Sequence, residues 1–366
     1  MVGTRPEAIK LAPVAHALSA RNLSPLVVLT GQQAIDCAEY GLGGFERVAL
    51  DCPGQRNPHR HAEQVAQALT HQFDLDPPRL LMVQGDTSSA FGSARAAFAH
   101  ALPVAHVEAG LRTHDPRQPW PEEDYRVAID AQATLLFAPT AGAAVNLRAE
   151  RAQGAIHVTG NTGVDALLMI LDQLPPPKPR KAMLPRILVT CHRRESWGRG
   201  LGSIASALAN IADRKVADVE LILHPNPHVS QTMREKLGGL TGIRLIDPCS
   251  YAQLVQRMRD ADLILSDSGG IQEEAPTIGT PLLVLRDKTE RPEGIVTGNA
   301  RLVGTKRDAI LKEVGRLLSD DVAMRAMSAP ALPYGNGQAA PRIAAIIDDW
   351  LDAVVTPAEL EPVSSQ

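Results

Sequence analysis

The length, composition and charge of the chain exclude several classes of protein. With 366 residues it exceeds one ordinary α/β domain and predicts two, since domains have roughly 100–200 residues. Hydrophobic residues make up 44% and charged residues 21%, which is the composition of a folded chain rather than a disordered one. The formal net charge of −4 argues against a general nucleic-acid-binding surface, because such surfaces need clustered Lys and Arg.

Cysteine spacing and apolar runs narrow the class further. The four cysteines, Cys37, Cys52, Cys191 and Cys249, match neither a metal-ligand spacing nor a C-x-x-C redox motif, so we expect free thiols and no metal. No apolar run approaches the roughly 18 residues that a bilayer span needs, and the N-terminus has no signal-peptide-like apolar region. We therefore expect no membrane association and a cytoplasmic location.

Residues 1–170 have the pattern of parallel βαβ units, in which short apolar runs alternate with stretches of helical periodicity. The predicted strands are 26–30, 80–84, 103–107, 135–138 and 155–159. The segment 3–7 looks like a turn between a strand and a helix, yet only Met1 and Val2 precede it. The first strand, which is central in a doubly wound sheet, is therefore expected to be missing.

A proline-rich stretch at 171–185 is predicted to be a linker that forms neither helix nor central strand. A second α/β series follows in 186–340, with predicted strands at 187–190, 219–223, 243–246, 263–266, 282–285 and 301–303. The fold class is therefore α/β, with two Rossmann-like, doubly wound domains and a ligand cleft between them. An apolar helix at 341–356 is expected to pack back on the first domain, and 357–366 to form a tail.

The most informative motif is 266–276, where a predicted strand runs into small residues and then into a helix. Free amides at a helix N-terminus bind phosphate oxygens, and glycines let the backbone approach them closely. We expect Ser268, Gly269 and Gly270 to hold a diphosphate, and Glu274 to accept hydrogen bonds from ribose hydroxyls. An ordinary helix capped by Ser268 is the alternative.

Three basic residues are candidates for phosphate binding. Arg291 follows the predicted strand 282–285, so it would lie at the same edge of the sheet as the glycine motif. Arg5 and Lys10 flank Pro6 in a predicted first helical turn and could offset the charge of a diphosphate. A solvated surface charge is the alternative for all three, and for Lys10 alone it is the preferred interpretation.

Acidic residues at or soon after predicted strand ends indicate proton transfer. Asp86, Glu108 and Glu122 are in this position, and burial beside other acids would make such carboxylates better bases. Taken singly, Asp86 could instead cap a helix and Glu122 could be a first-turn acid. His192 follows the predicted strand 187–190 and could bind a phosphate or move a proton, although a lone histidine there is more often structural.

Taken together, the motifs resemble those of the non-hydrolysing bacterial UDP-N-acetylglucosamine 2-epimerases over nearly the whole chain. The matching segments are 3–10, 85–87, 106–112, 119–123, 159–162, 192–196, 267–276 and 289–293. The resemblance implies a GT-B fold and interconversion of UDP-GlcNAc with UDP-ManNAc, through elimination of UDP to 2-acetamidoglucal and re-addition. It implies no cofactor, and the chain has no dinucleotide-binding G-x-G-x-x-G fingerprint after a strand.

The same resemblance implies residue roles. The acid and base carboxylates would be Asp86, Glu108 and Glu122, with His192 at the sugar and diphosphate. Diphosphate would be bound by Arg5, Lys10, Ser268, Gly269, Gly270 and Arg291, and ribose by Glu274. Uracil would lie near Cys249 and Leu254, two positions where the family often has larger side chains.

A second nucleotide-sugar site is also implied by the resemblance. Bacterial members have an activator site for UDP-GlcNAc, and its matches here are Gln32, Arg193, Glu195 and His224. Gln33 replaces the usual histidine, and the loop at 56–61 departs from the family. Tyr125 replaces an asparagine that is common before Arg126. The resemblance further implies a homodimer and a role in cell-envelope polysaccharide biosynthesis.

Three other functions are compatible with parts of this pattern. A hydrolysing epimerase would release UDP and free ManNAc, because water completes the reaction. A GT-B glycosyltransferase needs an acceptor site but no carboxylate cluster, so Asp86, Glu108 and Glu122 argue against it. A non-catalytic UDP-sugar-binding remnant is suggested only by the missing first strand, and the intact motifs argue against it.

Overall fold

The computed structural model describes residues 1–176, 184–191 and 198–355. The chain forms two compact units. The first comprises Met1–Ala166 and the chain from Gly335 onwards, and the second comprises Leu167–Tyr334. Each unit is described by itself below.

Helices and strands alternate in the first unit. In chain order its elements are α1 (Arg5–Ser19), β1 (Val27–Leu29), β2 (Arg47–Ala49), α2 (Pro58–Leu75), β3 (Leu81–Gln84), α3 (Ser88–Ala99), β4 (Val104–Val107), α4 (Glu122–Asp130), β5 (Leu135–Ala138), α5 (Ala141–Ala149) and β6 (Ala155–Val158). Helix α6 (Thr162–Gln173) then leads from the first unit into the second.

The second unit continues the alternation. Its elements are β7 (Arg186–Thr190), α7 (Arg199–Asp213), β8 (Asp218–Ile222), α8 (Pro227–Leu237), β9 (Ile243–Ile246), α9 (Tyr251–Asp260), β10 (Leu263–Ser266), α10 (Gly269–Ile278), β11 (Leu282–Val284), α11 (Glu293–Val296), β12 (Ala300–Leu302), α12 (Arg307–Ser319) and α13 (Asp321–Met327). The last helix, α14 (Ala339–Val355), belongs to the first unit.

All strand pairs in the first unit are parallel. Strands β3, β4, β5 and β6 form one sheet in that order, and β1 pairs with β2 in a second, two-stranded sheet. The side chains of successive residues of β5 pack into two different hydrophobic cores. Leu136 packs with helices α2, α3 and α5, whereas Leu135 and Phe137 pack with α1 and α14. The β3–β6 sheet is therefore covered by helices on both faces, as parallel sheets require.

Met1 and Val2 occupy the place where sequence analysis expects a complete first strand. Val2 forms a single parallel bridge with Leu29 of β1, and the Met1 amino group donates a 2.9 Å hydrogen bond to the carbonyl oxygen of Met82 in β3. These two residues therefore contact both sheets at one end of the gap between them.

The second unit has a doubly wound sheet of six parallel strands in the order β12-β11-β10-β7-β8-β9. The chain order reverses between β7 and β10, so this pair forms the topological switch point, where such folds bind ligands. The strand ends are tied together there, since the Thr190 and Ser266 hydroxyl oxygens lie 2.6 Å apart.

The predicted α/β class is confirmed, and the predicted strands 135–138, 243–246 and 263–266 match the observed ones at both ends. One strand was missed and one predicted boundary is wrong. Strand β2 was not predicted, because Arg47 and Ala49 are exposed and only Val48 is partly buried, which gives no apolar run. Residues 171–173 are the last turn of α6 rather than linker, because the prolines begin only at Pro175.

Among the described residues, no helix is both long and apolar enough to cross a bilayer.

Candidate functional site

Asp86 lies just beyond β3 and is paired with a buried arginine. The turn begins at Gly85, whose φ of +66° favours glycine. The Arg126 guanidinium forms an ion pair with the Asp86 carboxylate, and the Asp86 side chain is 26% exposed. Asp86 is not the cap of the next helix, because Thr87 holds that position and accepts from the Ala90 N–H at 3.0 Å. The Asp86 carboxylate is therefore paired with a cation and partly open to solvent.

Glu108 follows β4 and forms an enclosed ion pair at the first unit's polar edge. Its carboxylate accepts from Lys10 Nζ and, at 2.7 Å, from Gln84 Nε2. The side chains of Lys10 and Glu108 are each only 8% exposed. The preferred sequence interpretation of Lys10 as a surface charge is therefore wrong, because α1 turns this side chain inward to the end of β4. Glu108 itself has a φ of +70°, an uncommon conformation for a residue with a side chain.

A fully buried ionic network supports the turns that carry Asp86 and Glu108. His106 of β4 contacts the Gly85 carbonyl oxygen through Nε2 at 2.8 Å and Asp130 through Nδ1 at 2.6 Å. The Gly85 carbonyl oxygen can only accept, so Nε2 is the ring nitrogen that donates to it. Burial alone would raise the pKa of Asp130, but the charge and hydrogen bond of His106, together with Arg112, hold it below its usual value. Asp130 also accepts from the Gly110 N–H at 3.0 Å. The Asp130 carboxylate therefore holds the Gly110 loop directly and the Gly85 turn through His106.

Glu122 begins α4, whose first turn also contains Glu123 and Asp124. Glu122 is partly buried, whereas Glu123 is fully buried and its Oε1 accepts from the N–H groups of Thr113 and His114, each at 2.8 Å. Glu122 is thus a first-turn acid, and Glu123 organises the preceding loop. Tyr125 is buried and stacks on Phe91 with ring centroids 4.3 Å apart. Burial, and secondarily the charge of Glu122, raises the pKa of Tyr125 to about 12.

The first turn of α1 is joined to the Asp86 turn by a residue that sequence analysis did not select. Glu7 is buried and forms a capping box with Thr4, and its Oε1 accepts from the Thr87 hydroxyl at 2.6 Å. Burial raises the pKa of Glu7 despite these hydrogen bonds. Arg5 is exposed on the same turn, and its N–H donates to Gln33 Oε1 at 3.1 Å. Gln32 accepts from the Ser89 hydroxyl at 2.7 Å.

The second unit presents a helix N-terminus at the switch point of its sheet. Ser268 occupies the N-cap position of α10, but its hydroxyl makes no capping hydrogen bond and the first turn contains no acid. Among the described residues, no side chain caps the first-turn amides, so a helix capped by Ser268 does not describe this site. A Cβ on Gly270 would meet its nearest atom only at 3.9 Å, so the space beside this residue is open. Amides in this arrangement bind anions.

Arg291 lies directly against the same helix start. A Cβ added to Gly269 would come within 2.8 Å of the Arg291 guanidinium, so any larger residue there would have to displace the guanidinium. The guanidinium is bound by two buried acids, at 2.5 Å by Glu273 and in a closer ion pair by Glu290. Glu290 also binds Arg286 at 2.9 Å. The predicted phosphate-binding arginine is thus buried and fixed in orientation, with its positive charge next to the free amides.

Glu274 lies in the next turn of α10 and is 6% exposed. Its Oε1 accepts from the Tyr251 hydroxyl at 2.8 Å, and burial first, then the nearby Glu274 charge, raises the pKa of Tyr251 well above its usual value. Cys249 and Leu254, the predicted uracil neighbours, are both partly buried, and both pack against one apolar cluster of the second unit. Burial raises the pKa of the Cys249 thiol, so this residue is a neutral packing group.

The predicted activator residues are only partly described. His224 follows β8, and its Nδ1 accepts from the Asn226 N–H at 2.8 Å. Burial lowers the pKa of His224, although Asp267 opposes this shift. His192, Arg193 and Glu195 lie outside the described residues.

Sequence analysis missed several residues of these sites: Glu7, Gln84, His106, Glu123, Tyr251, Glu273 and Glu290. All except Tyr251 lie inside the matching segments or at the end of a predicted strand, so position in the motif was the available signal. Tyr251 lies between Cys249 and Leu254, the predicted neighbours of uracil. Within the described ranges, no group of three or more His, Cys, Asp or Glu side chains has the arrangement of a metal site.

The chain is similar to known proteins over nearly its whole length. A family model described as UDP-N-acetylglucosamine 2-epimerase matches residues 16–348. A UDP-N-acetylglucosamine 2-epimerase of Escherichia coli K12 is 42% identical over 363 residues, covering 93% of this chain and 95% of the relative.

Solved structures agree with this similarity. The complex of Staphylococcus aureus MnaA with UDP has a TM-score of 0.88 at 34% identity and covers 96% of this chain and 95% of its own. The UDP-GlcNAc 2-epimerase of Neisseria meningitidis bound to UDP-GlcNAc has a TM-score of 0.87 at 33% identity, with coverages of 95% and 98%.

Proposed function

This chain belongs to the UDP-N-acetylglucosamine 2-epimerase family, and we propose that it interconverts UDP-GlcNAc and UDP-ManNAc by the non-hydrolysing route. The observation that carries the proposal is the Lys10–Glu108 ion pair next to Asp86, at the carboxyl edge of β3 and β4. The relatives solved with UDP and with UDP-GlcNAc support a nucleotide-sugar ligand.

The reaction begins with elimination. A carboxylate of the first unit takes the proton from C2 of the sugar while the bond between C1 and the UDP oxygen breaks, which gives 2-acetamidoglucal and UDP. Glu108 and Asp86 are carboxylates that each pair with a cation, and either could accept the proton. Glu122 at the start of α4 is the third candidate. Lys10 keeps a positive charge beside the reacting groups.

Addition then reverses these steps with the opposite stereochemistry. The retained UDP attacks C1 of the glucal, and a protonated carboxyl group delivers the proton to the other face of C2. We assign retention of UDP to the second unit, where Ser268, the uncapped amides of Gly269 and Gly270 and the fixed charge of Arg291 would hold the diphosphate. Glu274 would bind the ribose hydroxyls, and Cys249 and Leu254 would lie beside uracil. No cofactor enters either step.

Two features of the family extend the proposal. Gln32 and His224, with Arg193 and Glu195, would bind an activating second UDP-GlcNAc, and the enzyme would be a cytoplasmic homodimer. A single monomer-mass peak in light scattering would contradict the dimer. Turnover that stays strictly proportional to occupancy of one UDP-GlcNAc site would contradict activation.

The decisive experiment is proton NMR of UDP-GlcNAc incubated with the protein in D₂O. We expect UDP-ManNAc to appear with deuterium at C2, because the proton exchanges with solvent in the glucal complex. Free ManNAc together with UDP would instead identify the hydrolysing reaction, which is the second candidate. A binding protein without activity would give no product signals and no deuterium at C2, although binding would still perturb the UDP resonances.

A further inference from the structure

The first turn of α1 contains a buried carboxylate that accepts hydrogen bonds from two parts of the chain. Glu7 is only 1% exposed. Its Oε2 accepts from the N–H groups of Gly3 and Thr4 at 2.7 and 2.6 Å, and from the Thr4 hydroxyl at 3.0 Å. Its Oε1 accepts from the Thr87 hydroxyl at 2.6 Å. The Glu7 carboxylate therefore joins the turn before α1 to the turn after β3.

Thr87 connects Glu7 to the candidate proton-transfer group Asp86, which it directly follows. The Thr87 hydroxyl donates to Glu7 and accepts from the Ala90 N–H at 3.0 Å, so hydrogen bonds hold it on two sides. The orientation of the Thr87 side chain is therefore fixed, and with it the backbone between Asp86 and α3. Asp86 itself is partly exposed, so its position depends on this turn and on the ion pair with Arg126.

The same face of α1 also contacts Glu108. Lys10 lies three residues after Glu7, so the two side chains are neighbours on the helix surface. The Lys10 ammonium group forms an ion pair with the Glu108 carboxylate, and both side chains are nearly buried. One helix face therefore holds the Asp86 turn through Glu7 and holds Glu108 through Lys10. The spacing between the two candidate proton-transfer groups is set in part by α1.

The chain before α1 packs on α3 without space for adjustment. A Cβ on Gly3 would overlap the hydroxyl group of Ser89, which lies in the first turn of α3. The Ser89 hydroxyl oxygen in turn lies 2.7 Å from the Thr30 hydroxyl oxygen. Because these groups are in close contact, a change in the hydrogen bonds of Glu7 is expected to move backbone and not only side chains.

We propose that Glu7 is a positioning residue for the epimerisation, since its carboxylate fixes the Asp86 turn relative to Glu108; this inference rests on the function proposed above. Small displacements of a reacting group lower kcat strongly. A carboxylate suits the position because all four of its hydrogen bonds come from donors, and its two oxygens offer four lone pairs. An amide can keep one oxygen toward Gly3 and Thr4, but its NH₂ group then faces the Thr87 hydroxyl.

The test is a double-mutant cycle of Glu7→Gln and Thr87→Val in the full chain. Each single variant should lower kcat for UDP-GlcNAc by ~10-fold, whereas Kd for UDP should stay within a factor of about 2, because UDP is assigned to the other unit. The double variant should lose no more than the weaker single variant, since both substitutions break the same hydrogen bond. Thr87→Ser keeps the hydroxyl and should retain most of kcat.

The matched control for loss of stability is Asp165→Asn. Asp165 is also a buried carboxylate of the first unit, and it accepts from the N–H groups of Ala339 and Ala340 at 3.2 and 2.8 Å. Asp165→Asn should lower Tm, as Glu7→Gln should, without the ~10-fold fall in kcat. Equal falls in kcat at equal loss of Tm would show that Glu7 supports the fold and not the site.

Two further outcomes would overturn the inference. One is a kcat of Glu7→Gln within a factor of about 2 of the parent, and the other is losses that multiply in the double variant. If Glu7→Gln fails to fold, Thr87→Val against Thr87→Ser makes the same comparison with Glu7 in place.

Hydrogen exchange separates this inference from the proposed function, because it needs no turnover. Exchange of the Ala90 amide should be faster in Glu7→Gln than in the parent, since the Thr87 hydroxyl that accepts from it has lost its own acceptor. Unchanged Ala90 exchange would refute the link between Glu7 and Thr87 whatever the enzyme does. A parent chain that forms no product from UDP-GlcNAc would instead contradict the proposed function.

Discussion

The two units present polar groups at strand ends in opposite ways. In the first unit, Asp86 and Glu108 are carboxylates, and each is bound to a nearly buried cation, Arg126 or Lys10. In the second unit, the site consists of backbone amides at the start of α10, and Arg291 beside them is bound to buried acids. The first arrangement suits proton transfer, whereas the second suits anion binding.

The difference teaches that each site depends on a buried set of opposite charges behind it. His106 and Asp130 hold the turns of the first unit's carboxylates, and Glu273 and Glu290 orient the arginine of the second unit. Buried pairs of this kind are strongly destabilising when one partner is removed. Substitutions should therefore separate turnover from nucleotide binding according to the unit in which they are made.

The largest expected effect is on turnover in Glu108→Gln. The amide keeps the shape of the side chain but cannot accept the C2 proton, so kcat should fall ~10²-fold or more. Binding of UDP, measured by calorimetry, should stay within a factor of about 3, because the amides and Arg291 belong to the other unit. Glu63→Gln, at an exposed position of α2, is the matched control. Unchanged turnover in Glu108→Gln would remove this residue from the mechanism.

A smaller effect, confined to binding, is expected for Gly269→Ala. The new methyl group would meet the Arg291 guanidinium at 2.8 Å and displace it from the helix start, which should weaken UDP binding by ~10-fold or more. Gly202→Ala in α7 is the control, since a Cβ there meets nothing within 4 Å. If both variants bound UDP as tightly as the parent, Arg291 would not be part of the diphosphate site.

The sequence predicted the fold well because apolar runs at regular spacing determine parallel strands. Strands β5, β9 and β10 were predicted to the residue, since each is a fully or largely apolar run between polar turns. Strand β2 was not predicted, because Arg47 and Ala49 are exposed and the strand is defined only by its pairing with β1. Pairing across sequence distance leaves no local signal in such a strand.

The candidate site was predicted less completely, since motif positions do not reveal partners. The sequence places Glu108 after a strand, but only the structure shows that Lys10, 98 residues away, is its ion-pair partner. Lys10 looks like a surface lysine on α1 until the inward face of that helix is known. The sequence does not predict the hydrogen bond between Tyr251 and Glu274, because the two residues are 23 positions apart. Burial and pairing of charges are tertiary properties.

A pH effect of intermediate size should be confined to the first unit. The pKa of the Met1 amino group is lowered to about 6 in the folded state from its usual value of 8.0, so the unfolded chain binds more protons between these values. The free energy of unfolding should therefore rise from pH 6 to pH 8, by about 1–2 kcal/mol. Protection of backbone amides from hydrogen exchange in β1 and β3 should increase with this rise in the free energy of unfolding. Protection in β7 and β8 should not increase. N-terminal acetylation should abolish the rise, and its persistence after acetylation would assign it to another group.

The smallest effect, and the sharpest test of the second unit, is expected for Tyr251→Phe. Loss of the hydroxyl removes one hydrogen bond from the Glu274 carboxylate, which would then be free to rotate away from the ribose. Affinity for UDP should fall by a factor of about 5, which corresponds to ~1 kcal/mol for one hydrogen bond. Affinity for 2′-deoxy-UDP should fall less if Glu274 binds the 2′-hydroxyl, so the preference for UDP over the deoxy analogue should narrow.

The control is Tyr40→Phe, in the first unit, which should leave the preference for UDP over 2′-deoxy-UDP unchanged. An equal loss for both nucleotides in Tyr251→Phe would mean that the tyrosine supports the fold of α9 and α10 and not the orientation of Glu274.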